Sequence, residues 1–120
     1  MSEDKRYMIV IHPAKRTVMV NHDAEKQPEL KTLQELVGGP IEVVPTYLEA
    51  SWARENVDRI VLVVNEEGRL RGMPHNPAAS ELTPALPDIV GTAVLLVTKG
   101  EEMLGFEKYA AQDVVKEWRL

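Results

Sequence analysis

The amino-acid sequence predicts an α+β fold: a mostly antiparallel sheet of five or six strands with two helices packed against it. Three observations carry this expectation. Short β-rich runs such as Tyr7–Ile11, Ile41–Val44, Arg59–Val64 and Ala93–Val97 recur between turns containing Gly or Pro. Two other stretches space their apolar residues by three and four, as one face of a helix does. The chain has 120 residues and is 44% hydrophobic, enough for one domain to bury a core without staples. Residues 1–6 read as a disordered N-terminal extension and residues 7–120 as a single α+β domain.

Tyr7-Met-Ile-Val-Ile11 is continuously apolar, which suits a strand buried on both faces. His12–Arg16 reads as a turn, and Thr17–Val20 returns as a hairpin partner. Pro28–Val37 reads as a helix. Pro28 suits the first helical position, where its missing N–H costs nothing, and Leu30, Leu33, Leu36 and Val37 share a face. Gly38-Gly39 ends that helix, because glycine accepts the left-handed conformation of a C-terminus. Ile41–Val44 is a strand closed by Pro45.

Residues 46–58 mix Tyr47, Leu48 and Trp52, which need cover, with Glu49, Arg54, Glu55 and Asp58, which need water. A strand extension followed by a turn is expected there. Arg59–Val64 is the next strand. Asn65-Glu-Glu-Gly68 is expected to turn tightly with Gly68 at positive φ, and Arg69–Arg71 to leave as a short strand. Residues 72–88 hold four of the eight prolines and form an unusually long loop. Within it Asn76 suits an N-cap and Pro77 a first helical residue, followed by one helical turn over Ala78, Ala79 and Ser80.

Ile89–Thr98 contains the strongest apolar run and is expected at the centre of the sheet. Lys99-Gly100 turns the chain. From about Phe106 to Trp118 the pattern is helical, with Phe106, Tyr109, Ala110, Val114 and Trp118 on one stripe. Lys108, Gln112 and Lys116 lie outside it.

Composition excludes several classes of function. There is no cysteine, so there are no disulfides, thiolate zinc sites or cysteine nucleophiles. This fits a reducing compartment. No apolar run approaches the roughly 20 residues of a membrane span. The start of the chain is polar and lacks the apolar stretch of a secretory signal. A cytoplasmic protein with no membrane partner is expected. Net charge is −5, from 19 acids and 14 bases, which disfavours direct nucleic-acid binding.

The candidate sites are few. Gly38-Gly39 follows a helix, whereas a phosphate cradle needs glycines directly before one. His12, His22 and His75 lack the three- or four-residue spacing of ligands on one helical face, though His12 and His22 flank a predicted hairpin. Ser2, Ser51 and Ser80 sit in no nucleophile elbow. The adjacent pairs Glu66-Glu67 and Glu101-Glu102 splay apart and stay hydrated, which makes poor acid/base couples.

The best ligand-binding candidate is Met73–Ala79. If Asn76 begins a helical turn, the following N–H groups near Ala78 can receive an anion. His75 stands beside them as a donor, and Arg69 and Arg71 add charge from the neighbouring strand. The second candidate is an interface formed by Phe106, Tyr109 and Trp118, through which the chain would form a homodimer. No catalytic residue, metal or cofactor is expected.

Several stretches together resemble a known family. They are Leu33-Gln-Glu-Leu-Val-Gly-Gly39 with Ile41-Glu-Val-Val44, then Val64-Asn-Glu-Glu-Gly68, Gly72-Met-Pro-His-Asn76 with Ala78, and Asp88-Ile-Val-Gly91 before an apolar strand. In this order and spacing they resemble the domain-of-unknown-function 3846 family of small phage and mobile-element proteins. The resemblance covers most of residues 7–100. It implies a compact α+β fold and a mobile-element setting, and no reaction. The chain departs from the pattern in its polar N-terminal extension, in extra residues around Ser51–Asn56, and in His75, where a less polar residue is expected.

Three functional expectations follow. The leading one is a non-enzymatic binding protein of phage or mobile-element type, an anti-defence or regulatory accessory that recognises a small anionic ligand or a host protein. The second is an acidic interaction protein that occupies a nucleic-acid-binding site on a host enzyme, which requires acids clustered on one face. The third is a small enzyme centred on His75 with Asp88 or Glu81.

Overall fold

Met8, Ile9, Val10 and Ile11 are all buried, and so is every residue from Ile60 to Asn65 and from Ala93 to Val97. Strands with no exposed face belong in the middle of a sheet that is covered on both sides. That is where the computed structural model places them; it describes residues 4–14 and 16–120. The strands are β1 (Lys5–His12), β2 (Arg16–Asp23), β3 (Ile41–Pro45), β4 (Arg59–Asn65), β5 (Ala93–Lys99) and β6 (Glu102–Leu104). They form one six-stranded sheet in the order β2-β1-β5-β4-β3, with the short β6 also on β5. Every pairing is antiparallel.

The helices are α1 (Leu30–Val37), α2 (Pro77–Glu81) and α3 (Lys108–Glu117), with a 3₁₀ turn at Ala50–Ala53. Alternation along each strand divides the core into two layers. Met8, Val10, Val63 and Val94 pack with Leu33 and Val37 of α1 on one face. Ile9, Ile11, Leu62 and Leu95 pack with Phe106 and with Ala110, Ala111 and Val114 of α3 on the other. Leu33 and Val37 are four residues apart, one turn of α1, so both reach the sheet. Burying each such side chain contributes about 1.5–3 kcal/mol. The α+β class and the antiparallel sheet follow the sequence expectation.

Several local expectations change. Helix α1 starts at Leu30, after the extended Glu29, so Pro28 precedes the helix instead of opening it. Leu30 is exposed, and the working face of α1 is narrower than the four residues expected. Gly38 does end the helix, at φ +84°, with its N–H donating to the Gln34 carbonyl at 2.8 Å.

Arg69–Arg71 is turn rather than strand. The chain there bonds to itself, Arg71 N–H to the Glu67 carbonyl at 3.0 Å and Met73 N–H to the Gly68 carbonyl at 3.0 Å. Gly68 is not among the positive-φ glycines. It is required because a Cβ there would lie 2.9 Å from Val90 Cγ2. β5 begins at Ala93, since residues 89–91 bond instead to the 74–76 segment through Asn76 N–H to Ile89 O and Gly91 N–H to Pro74 O. β1 begins at Lys5, so residues 5 and 6 of the expected disordered extension are strand, while residues 1–3, Ser2 included, lie outside the described residues. Lys15, in the expected 12–16 turn, also lies outside them.

Candidate functional site

Two buried asparagines organise the loops at one end of the sheet. Asn65 closes β4; its Nδ2 donates to the Val37 carbonyl at the end of α1 at 3.1 Å, and its Oδ1 accepts the Glu67 N–H at 2.7 Å. Asn76 is fully buried. It caps α2 by accepting the Ala79 N–H at 3.1 Å, and its Nδ2 donates to Ile11 O and Gly91 O, each at 2.9 Å. A side-chain amide has two N–H donors and a carbonyl oxygen. In Asn76 all of these groups are engaged within the chain.

The five expected ligand-binding residues therefore do not converge. Asn76 faces inward and Ala78 packs on the core. Pro77 has no N–H, and α2 has only five residues. Arg71 donates to the Gly38 carbonyl at 2.7 Å, while Arg69 reaches the Asp88 carbonyl at 3.3 Å. Gly39 explains part of this divergence: a Cβ there would lie 3.0 Å from Arg71 Nη1, so the guanidinium crosses a surface that only glycine leaves open.

His75 does meet a carboxylate. Its Nε2 is 3.2 Å from Asp88 Oδ2 and 3.5 Å from Ser80 Oγ. A serine–histidine–acid relay needs the hydroxyl on one ring nitrogen and the acid on the other. Here both approach the same nitrogen. Ser80 Oγ also donates to the Asn76 carbonyl at 2.8 Å and accepts the Ile89 N–H at 2.9 Å, which pins α2 to the following loop. The His75 and Asp88 side chains are 54% and 62% exposed. The contact is a solvated surface pair, and His75 lines no cleft with it.

His12 and His22 lie at opposite ends of the β1–β2 hairpin, across from Arg16 and Arg6 respectively, so they cannot share a ligand. Among the described residues no group of three or more His, Asp or Glu side chains converges as a metal site. His22 is instead a structural clasp. Its Nε2 accepts the Gly105 N–H at 2.8 Å, and its Nδ1 lies 2.9 Å from Asp23 O and 3.1 Å from Lys26 O. Burial lowers its pKa below the ordinary 6.5, against the raising effect of the two carbonyls.

The aromatic stripe separates. Phe106 precedes α3, in the extended segment that bridges to Tyr7, and is fully buried in the core. Helical spacing from Phe106 to Tyr109 therefore has no meaning, and Tyr109 points to solvent at 69% exposure. Trp118 packs edge-on against Trp52, with centroids 6.3 Å apart.

A groove absent from the sequence expectations lies beside the edge strand β3. Its cavity of about 170 Å³ is bounded by β3, the 66–70 turn and the 85–90 loop. Val44, Val64 and Ile89 are buried beneath it. Glu42, Glu66, Asp88 and Arg69 surround it. Leu70 and Leu86 stand among its walls at 91% and 87% exposure. Single exposed leucines are ordinary, but these two share one groove with an apolar floor and form an exposed apolar patch. A sequence signal existed. Neither leucine belongs to an apolar periodicity: Leu70 is isolated between two arginines, and Leu86 sits among prolines.

The family model for a domain of unknown function, DUF3846, matches residues 5–119. No curated protein and no solved structure matches.

Proposed function

The chain belongs to the DUF3846 family, and from that premise we propose that it is a non-enzymatic binding protein, of the type carried by phages and mobile elements, that grips a protein partner in the groove between Leu70 and Leu86. The observation that carries this reading is the pair of nearly fully exposed leucines on one apolar-floored groove. Burying an aliphatic anchor on binding is worth about 1.5–3 kcal/mol.

The charges support one of the two expected ligands over the other. Three carboxylates, Glu42, Glu66 and Asp88, surround the groove against one guanidinium, Arg69. That balance repels a small anion and favours a partner segment with basic and aliphatic side chains. The acids of the helices do not support a nucleic-acid mimic. Glu29 and Glu35 flank or lie on α1, and Glu107, Asp113 and Glu117 flank or lie on α3, on opposite sides of the sheet and interleaved with lysines. A regulatory or anti-defence accessory acts in this picture by occupying a partner's surface.

Fluorescence anisotropy with three labelled peptides tests the reading: alternating Leu–Lys, alternating Leu–Glu and alternating Ser–Lys. The Leu–Lys peptide binds, and the other two bind about tenfold more weakly or less. The double variant Leu70→Ser, Leu86→Ser loses that binding while its unfolding midpoint stays. Equal binding of the Leu–Lys and Ser–Lys peptides, or full binding by the double variant, would show that the groove is not the contact.

A further inference from the structure

The opposite edge of the sheet, β2, is unpaired on its outer side among the described residues. β2 pairs with β1 along all eight residues without a bulge. Which groups face outward follows from Tyr7. Its N–H and C=O both bond to Phe106, at 2.7 Å each, so they point away from β2. Direction alternates along an antiparallel pair. Met8 and Val10 therefore bond to Val20 and Val18, and Thr17, Met19 and Asn21 turn their N–H and C=O groups outward. Asp23 is the next in this series, but its carbonyl already accepts from His22 Nδ1 at 2.9 Å and from Lys26 N–H at 3.2 Å.

We propose that two copies of this chain join through β2, edge to edge and antiparallel, about a two-fold axis at Met19. In that register Thr17 of one copy faces Asn21 of the other, and the two Met19 residues face each other. Every outward donor and acceptor of Thr17, Met19 and Asn21 then finds a partner, and the engaged Asp23 carbonyl is left out. On the other face Val18 of one copy meets Val20 of the other, the kind of β-branched cross-strand pair that stabilises sheets. Arg16 falls opposite His22 of the other copy, which accepts the Gly105 N–H and so carries no charge. The two Arg16 side chains lie at opposite ends of the junction, so no like charges meet.

Edges that stay single carry charge, proline or a bulge in mid-strand. From Thr17 to Asn21, β2 has none of these. The other edge, β3, does: it carries the exposed Glu42, has Pro40 before it and ends at Pro45. A depression lined by His12, Pro13, Ala14, Arg16, Val18 and Pro74 adjoins β2 and extends the surface a second copy would cover. A junction of this kind lies at the small end of specific interfaces, with an expected Kd of roughly micromolar order. It joins the sheets at their β2 edges and leaves β3, with its groove, at each far end. If the groove reading above holds, the dimer is a bivalent binder; the dimer itself does not depend on that reading.

Sedimentation velocity from roughly 1 µM to 1 mM, which brackets a micromolar Kd, tests the pairing. The wild-type mass rises from 13.5 kDa to twice that value. Asn21→Pro removes an N–H that faces away from β1, a position where an edge strand tolerates proline. It stays at 13.5 kDa with the wild-type thermal midpoint. Val18→Lys, which sets an ammonium against Val20 of the other copy, also stays monomeric and serves if the proline variant misfolds. A wild-type chain that is monomeric throughout, or folded variants that dimerise as well as wild type, would overturn the proposal.

Discussion

The side chain of Asn76 donates to the carbonyl of Ile11, 65 positions away in the chain, at 2.9 Å. The same nitrogen holds Gly91 O, and the side-chain oxygen caps α2. One residue thus ties the end of β1, the approach to β5 and the start of α2. Asn76→Ala removes three hydrogen bonds and leaves two carbonyls without their donor. Leaving a buried acceptor unpaired costs about 1–3 kcal/mol, so a loss of about 3 kcal/mol is expected. Urea unfolding reads it as a lower midpoint at unchanged slope. A loss below about 1 kcal/mol would mean that water enters and restores the bonds.

The clasp at His22 makes stability depend on pH. Its Nε2 accepts a backbone N–H, so the folded state holds the ring neutral, and burial lowers its pKa below 6.5. The unfolded chain binds the proton first as pH falls. The contribution of His22 is therefore complete above pH 6.5 and is lost as pH falls from there through the lowered folded-state value. Unfolding midpoints measured from pH 7.5 to 5 should fall more steeply in wild type than in His22→Gln. Parallel slopes would remove His22 as the cause.

Gly105 has no room for a side chain. A Cβ there would lie 2.6 Å from Tyr7 C and 2.8 Å from Tyr7 O, both backbone atoms that cannot swing aside. Gly105→Ala must push the Phe106 segment off β1. Overpacking of this kind costs about 1–3 kcal/mol, and the upper end is expected because the paired Tyr7–Phe106 hydrogen bonds sit at the clash. Gly100→Ala is the control: it has open space and pays only for its φ of +62°, about 1 kcal/mol. Thermal unfolding of the two variants should rank them in that order.

The His75–Asp88 pair is a surface contact, and such pairs stabilise by less than about 1 kcal/mol. His75→Ala and Asp88→Asn should leave the unfolding midpoint within about 0.5 kcal/mol of wild type. His75→Ala should also leave Leu–Lys peptide binding intact, because His75 does not line the groove. A large loss of binding in His75→Ala would move the functional centre from the leucines to the histidine and revive the enzyme reading.

Much of the fold was legible in short stretches. The apolar runs at β1, β4 and β5 marked strands, the first of them as covered on both faces and the last as central. Gly38 marked a helix end, and Asn76-Pro77 marked a helix start. Each of these signals lies within four or five residues, where backbone geometry and the nearest hydrogen bond decide the outcome. The candidate site was less legible. Asn76 was correctly placed as a cap, yet capping accounts for only its Oδ1. The partners of its Nδ2 lie 65 and 15 positions away, and they remove it from any ligand.

Residue chemistry and spacing alone therefore specified the α+β class, the position of most strands and caps, and the absence of cysteine chemistry. The fold added what depends on distant neighbours. It set β1 beside β5, so that Ile9 meets Leu95; it sent Arg69 and Arg71 to different carbonyls; it sank Phe106 while leaving Tyr109 in water; and it brought Leu70 and Leu86 onto one groove. Strand order and loop packing settle such matters. Those rest on contacts whose separation along the chain leaves no local pattern to read.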